Sequence, residues 1–290
     1  MTKIIEEKEL KALVSLLDDE DGDVVNHVEE KIISIGNQVI PFLEREWETS
    51  FNPTVQRRIE ELIHTLQFDN LKERLFQWKE GGAMDLLEGS WIVSTYQYPD
   101  LELEFLKQEV EQIYFEAWRN FQPDLHPFDQ IKALNNVLFN KFKFGANSKN
   151  FHSPGNSMIN VVLETKKGNP ISLCIVYMLV AQKLGLPVYG VNLPNLFILT
   201  YKTEEVQFYI NAFNKGLIFS KKDIDNYIAQ LHLNPVDIFY EPCANVDIVK
   251  RVLRNLILSF EKIGEYQKSD EVKQILEVLM DGGDLNQGDF

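Results

Sequence analysis

Residues 166–174, "KKGNPISLC", decide how this chain is read. Gly168 and Asn169 make a turn, Pro170 stands where a helix would begin, and Cys174 follows one turn later. The continuation "ISLCIVYMLVAQKLG" reads as a buried helix closed by Gly185. A helix that starts behind a glycine turn is chemically useful, because its unpaired N–H groups and dipole stabilise a thiolate at its first position. Cys174 is therefore either a nucleophile or part of a core.

Downstream, "PVYGVNLPNLFILTY" and "VQFYINAF" read as strands, β-branched and aromatic, separated by the polar turn "KTEE". "NKGLIFS" adds a short edge and "KKDIDNYIAQL" returns to helix. Upstream, "FGANSKNFHSPGNS" is a loop rich in Gly, Asn, Ser and Pro, preceded by helical patterns between Leu86 and Phe142. From Asp247 a helical hairpin is expected, turning at "KIGEYQ" and resembling one tetratricopeptide-type unit. The acidic, Gly-rich ending "DGGDLNQGDF" is expected to be disordered.

The first eighty residues repeat themselves. When "DVVNHVEEKIISIGNQVIPFLEREW" is set above "TVQRRIEELIHTLQFDNLKERLFQW", Val24 falls on Val55, Val28 on Ile59, Ile32 on Ile63, Ile40 on Leu71 and Trp47 on Trp78. An offset of roughly thirty residues carrying two helical patterns marks a helical-hairpin repeat. The segment "GNQVIPFLEREW" resembles the second helix of a HEAT-type repeat; a plain pair of amphipathic hairpins fits the same pattern.

Composition limits the partners. Net charge is −15 over 290 residues, so the clustered Lys and Arg that neutralise nucleic-acid phosphates are missing, and an anionic membrane surface is disfavoured for the same reason. A protein or peptide partner fits the charge. Cys174 and Cys243 make no disulfide framework or C-x-x-C pair, the N-terminal residues are polar and acidic, and no apolar run is long enough to span a bilayer. A reduced, cytoplasmic protein is expected. His27, His64, His126, His152 and His232 are scattered without metal-ligand spacing, and "DDEDGD" lacks the later glycine and glutamate of a calcium loop, so neither metal nor cofactor is implied. Cys243, in "EPCANVD", reads as an ordinary loop residue open to solvent.

The spaced motifs Asn156-Ser157, Val162-Leu163-Glu164, Gly168-x-Pro-Ile-Ser-Leu, Leu184-Gly-Leu-Pro and Phe213-Asn-x-Gly, in this order, resemble the transglutaminase-like family of bacterial SirB-type proteins over roughly Leu86 to Leu231. The resemblance implies an α+β, predominantly helical fold: a papain/transglutaminase-like core in which a small antiparallel sheet packs on the helix near Pro170, flanked by helical hairpins. Expected domains are 1–80 (HEAT-like hairpins), 81–240 (transglutaminase-like), 241–280 (tetratricopeptide-like hairpin) and 281–290 (acidic tail). The resemblance also implies a Cys-His-Asp triad, and places its positions on Pro170, Leu196 and Asn211. Proline supplies no nucleophile and leucine moves no proton, so the fold is implied while its chemistry is not.

Cys174 lies about 6 Å along the helix from Pro170, out of the N-terminal field and among Ile171, Val176 and Met178. A cysteine in such surroundings is inert, and the only histidine in the neighbourhood is His152. Asn156, Ser157, Asn169, Ser172 and Asn195 are candidates to line a groove at the vestigial site, although Asn156 and Asn169 fit a turn residue and a helix cap equally well. The reading is a non-catalytic, protein-binding or regulatory module, the degenerate triad weighing against an enzyme. The alternative is a cysteine-dependent hydrolase or acyl transferase using Cys174 with His152.

Overall fold

The computed structural model describes residues 7–119 and 121–280 and divides the chain into two compact units, one ending at Arg74 and one beginning at Leu75. The expected disordered tail, 281–290, lies outside the described residues.

The first unit is helical: α1 (Glu7–Val14), α2 (Gly22–Ile33), α3 (Ile40–Thr49) and the start of α4 (Pro53–Glu80). Its core gathers Leu17, Val28, Ile32, Leu43, Ile59 and Leu62; of the aligned apolar positions Val28, Ile32, Val55 and Ile59 are buried there, Val24, Ile40 and Ile63 are partly buried, and Trp47 is exposed. The hairpin geometry, however, forms only once. Between α2 and α3 the chain breaks at Gly36, whose φ of 79° is open to glycine at little cost, and restarts with Pro41 in the first turn of α3. The aligned segment "LQFDNL" (66–71) holds neither Gly nor Pro, and α4 runs through it as one helix of 28 residues. The second copy is thus a single helix instead of the expected hairpin.

The second unit is α+β, predominantly helical, with one small antiparallel sheet. It comprises α5 (Leu86–Ser94), α6 (Leu103–Arg119), α7 (Pro127–Asn135), β1 (Gly145–Ala146), α8 (Ile159–Thr165), β2 (Lys167–Gly168), α9 (Pro170–Lys183), β3 (Val188–Leu193), β4 (Leu196–Lys202), β5 (Gln207–Asn211), β6 (Leu217–Phe219), α10 (Lys221–Gln230), α11 (Asn245–Ile263) and α12 (Tyr266–Leu279). Strands β3 to β6 form the sheet in sequence order. The stretch expected as one long strand, 187–201, is a tight hairpin: Pro194 and Asn195 turn the chain, with Asn195 at φ 58°, a left-handed conformation that asparagine tolerates. The pairing Val191↔Ile198 and Leu193↔Leu196 follows from that turn.

Helix α9 is apolar nearly all round, with Ile171 to Met178, Val180 and Ala181 buried. It has no wet face, so the unit is built around it: β3 and β4 cover one side, while α5, α6, α8 and α11 close on the others. The far face of the sheet is covered by α10, whose Ile224 and Ile228 pack with Val191, Leu193, Ile198 and Tyr209. The C-terminal hairpin α11–α12 is part of this unit, with α11 laid against α5 and α9.

The Phe213-Asn-x-Gly motif turns the chain between β5 and β6. Asn211 accepts from the Asn214 N–H at 3.0 Å and Gly216 follows at φ 74°. The carbonyl of Gly216 accepts from the Asn135 side-chain amide at 2.9 Å, and Asn135 Oδ1 in turn accepts from the buried Tyr177 hydroxyl of α9 at 2.9 Å. After Asn135, α7 widens into a π-type turn over Asn136–Lys141. A Cβ at 216 would sit 2.0 Å from Asn135 Oδ1, so a side chain there both strains the backbone and breaks this bridge. Gly216→Ala is expected to cost about 2 kcal/mol or more, from left-handed strain plus a lost hydrogen bond, read as a lower urea midpoint with an unchanged slope.

Candidate functional site

The site is built where α9 begins. Asn169 caps the helix: its Oδ1 accepts from the Ser172 N–H at 3.0 Å, and Ser172 Oγ accepts from the Asn169 N–H at 3.1 Å. This reciprocal pair satisfies two donors that would otherwise be buried without partners. Pro170 occupies the first helical position, where a missing N–H costs nothing. Asn169 also donates through Nδ2 to Ser157 Oγ at 3.0 Å, tying the cap to the preceding turn. In that turn, Asn156 accepts from the Asn147 amide and donates to the carbonyls of Asn150 and Phe151, each at 2.8 Å.

A cleft of about 240 Å³ opens over Pro170. Phe151 and His152 form one rim, Asn169, Pro170 and Ile171 the base of α9, and Asn195 with Phe197 the hairpin side. The remaining wall is α11, through Arg251, Asn255, Leu258, Ser259 and Lys262. These α11 residues recur every three or four positions and so share one helix face. Of the candidate groove residues, Asn169 and Asn195 line the cleft. Asn156, Ser157 and Ser172 are buried behind it, with their polar groups spent on the cap and turn hydrogen bonds just described.

The three positions onto which the resemblance places a triad have separate fates. Pro170 lies in the cleft where the helix N-terminal field is strongest, and presents only a pyrrolidine ring. Leu196 starts β4 just after the hairpin turn, and Asn211 ends β5, where its Oδ1 accepts from the Asn214 N–H. Neither Leu196 nor Asn211 is among the residues lining the cleft.

Cys174 is fully buried, with 0% exposure, and its thiol donates to the carbonyl of Phe197 at 3.7 Å. Burial pushes its ionisation well above the ordinary thiol value, because a thiolate there would lose its hydration without gaining a counter-charge. His152 sits exposed on the cleft rim, its ring edge-on to Phe151 at 5.2 Å. The cleft that His152 lines does not reach Cys174, so the two candidates are not brought together. Cys243, expected to be open, is half-buried. Its N–H donates to the Gly190 carbonyl at 2.9 Å, and burial first, then Asp247, push its thiol up to about 12.

The wall on α11 is the part that sequence reading missed, since that helix reads as a hairpin element and nothing more. Its signal is nevertheless present: Arg251, Asn255, Ser259 and Lys262 follow one another at helical spacing on a helix whose other positions are largely apolar. Arg251 is only 9% exposed and donates from Nη1 to Asn192 Oδ1 of β3 at 3.1 Å. Burial, and then the like charge of Arg254, lower its hold on its proton. Among the described residues, no group of three or more His, Cys, Asp and Glu side chains is placed to hold a metal, and no helix is long and apolar enough to cross a membrane.

The geometry defines a transglutaminase-like core whose first helical position carries no nucleophile, and comparison with known proteins agrees on the class. Residues 104–254 match the model of the transglutaminase-like superfamily, and the chain belongs to that superfamily. It is similar to a UPF0162 protein of Xylella fastidiosa (29% identical over 192 residues, 60% of this chain and 64% of that protein) and to one of Vibrio cholerae (26% over 137 residues, 47% and 51%). It is also similar to the mouse F-box only protein 21, at 29% identity over 159 residues, 52% of this chain and 24% of that protein. The matched region thus spans less than two thirds of each of these relatives. No solved structure matches.

Iodoacetamide labelling of the native protein at neutral pH, followed by peptide mapping, is expected to leave Cys174 unmodified until the chain is unfolded, with Cys243 slow. Rapid modification of Cys174 in the folded protein would contradict its placement.

Proposed function

We propose that this is a SirB-type, non-catalytic member of the transglutaminase-like superfamily that acts as a cytoplasmic protein- or peptide-binding module. Its ligand would lie in the cleft over Pro170. The observation that carries the reading is the pairing of Pro170 in the cleft with a cysteine sealed one turn below it. A binding cleft is kept while the group that would attack a substrate is gone. Supporting it, the cleft mixes apolar surface from Phe151, Phe197 and Leu258 with amides from Asn195 and Asn255, the combination that recognises peptide backbone and side chains. A HEAT-like reading of the first helical unit and a tetratricopeptide-like reading of α11–α12 suit the same role.

The alternative, a hydrolase or acyl transferase using Cys174 and His152, would require the thiol to leave the Phe197 carbonyl and rise through the core to the cleft. It would also require the thiolate to form where burial opposes it most.

Panning a random peptide library against the protein supplies ligands with which to test the reading. Leu258 is exposed on the cleft wall, and Leu258→Ala is expected to weaken the selected peptides roughly tenfold by removing apolar contact. Cys174→Ala should leave their affinity within about twofold, and mass spectrometry should show no cleavage or acyl transfer. Turnover abolished by Cys174→Ala would replace this reading with the enzymatic one.

A further inference from the structure

The cleft differs in charge from the rest of the molecule. The chain carries 44 Asp and Glu residues against 29 Lys and Arg, and two larger surface depressions follow that balance. The first, about 740 Å³, is lined by Asp85, Glu104 and Glu111 beside two lysines; the second, about 420 Å³, by Glu44, Glu48 and Glu60 without any Lys or Arg among its described lining residues. The cleft over Pro170 reverses the pattern. Among its described lining residues there is no Asp or Glu, and α11 contributes Arg251 and Lys262.

We infer that this cleft selects ligands bearing a carboxylate, held by Arg251 in the interior after Lys262 at the mouth has drawn it in, with the amides of Asn195 and Asn255 taking the remaining polar groups. The inference rests on the binding role proposed above and names the ligand chemistry of that site. Arg251 is the anchor. The residue is nine-tenths buried and its guanidinium is oriented by the Asn192 side chain, an arrangement that leaves little side-chain entropy to lose when an anion binds. Burial, and after it the like charge of Arg254, work against its charge, and a carboxylate bound there offsets both while forming a charged hydrogen bond. Lys262 is exposed, eleven residues further along the same helix face, and sits where it can steer an anion toward an otherwise acidic surface. Asn169 and Pro170 place the positive end of α9 in the same cleft, which adds to the preference.

The probes are fluorescein-labelled Gly/Ser peptides. One carries glutamates and a C-terminal amide; two counterparts carry glutamine or lysine in their place; a fourth is the glutamine peptide with a free C-terminal carboxylate. Anisotropy titration of the full chain is expected to show the glutamate peptide binding at least about tenfold more tightly than its glutamine counterpart, with affinity falling as salt is raised. Binding by the free-carboxylate peptide alone would assign the site to a chain terminus, and would support the inference equally. Lys262→Glu, on an exposed position that does not threaten folding, is expected to lower affinity about tenfold. Arg251→Gln should do at least as much, with a thermal melt to confirm that it folds. Equal binding of the glutamate and glutamine peptides, weakened alike by Leu258→Ala, would overturn the charge selection while leaving the cleft as a peptide site. Preference for the lysine peptide would also overturn it. Failure of every peptide to bind would remove both the selection and the proposed function.

Discussion

Helix α9 has no polar side, and most of the second unit follows from the need to cover it. Ten of its residues are buried, and each fully buried Ile, Leu, Val or Met side chain contributes about 1.5–3 kcal/mol relative to exposure. A helix with a wet face could be covered on one side only; α9 needs the sheet, α5, α6, α8 and α11 together. Its start cannot be frayed either, because donors buried without partners would cancel part of that gain. The Asn169–Ser172 capping box meets this demand, and it draws Ser157 and the preceding turn into the same hydrogen-bonded cluster.

That requirement gives the motif residues a structural task of their own. Asn169, Ser172, Ser157 and Asn156 satisfy buried donors and acceptors at the head of α9, and Gly216 lets Asn135 bridge the β5–β6 turn to Tyr177. These are demands of folding and hold whether or not a nucleophile is present. Pro170 and Leu196 make none of these hydrogen bonds, so the side chains at those two positions can change without disturbing the helix cap. Cys174 is on the folding side of this division: it is fully buried in the core, its thiol on the Phe197 carbonyl.

The α+β class, the buried helix, the short edge strand and the C-terminal hairpin were legible in the sequence because each has strong local punctuation: Gly168 to Pro170, Gly185, the "KTEE" turn and Gly264. Two features were not. The hairpin at Pro194–Asn195 did carry a signal, two turn residues side by side, but strand-forming residues press so closely on both sides that the stretch reads as one strand. The repeat at the N-terminus misled in the opposite way, since matched apolar positions say which face is buried and nothing about whether the helix breaks; only Gly36 and Pro41 decide that. At the site, the positions of Pro170 and Cys174 were readable, whereas the cleft wall on α11 depends on a long-range packing of α11 against α9 that no local signal encodes.

The central claim is that the nucleophile position is vacant and has not moved to Cys174. Pro170→Cys puts a thiol at the first turn of α9, and the pH dependence of its alkylation measures the environment directly. The account predicts a readily labelled thiol with an apparent pKa below the ordinary value of about 8.5, while Cys174 in the same protein stays unreactive. A sluggish new thiol, or a Cys174 that labels readily in the folded protein, would contradict it.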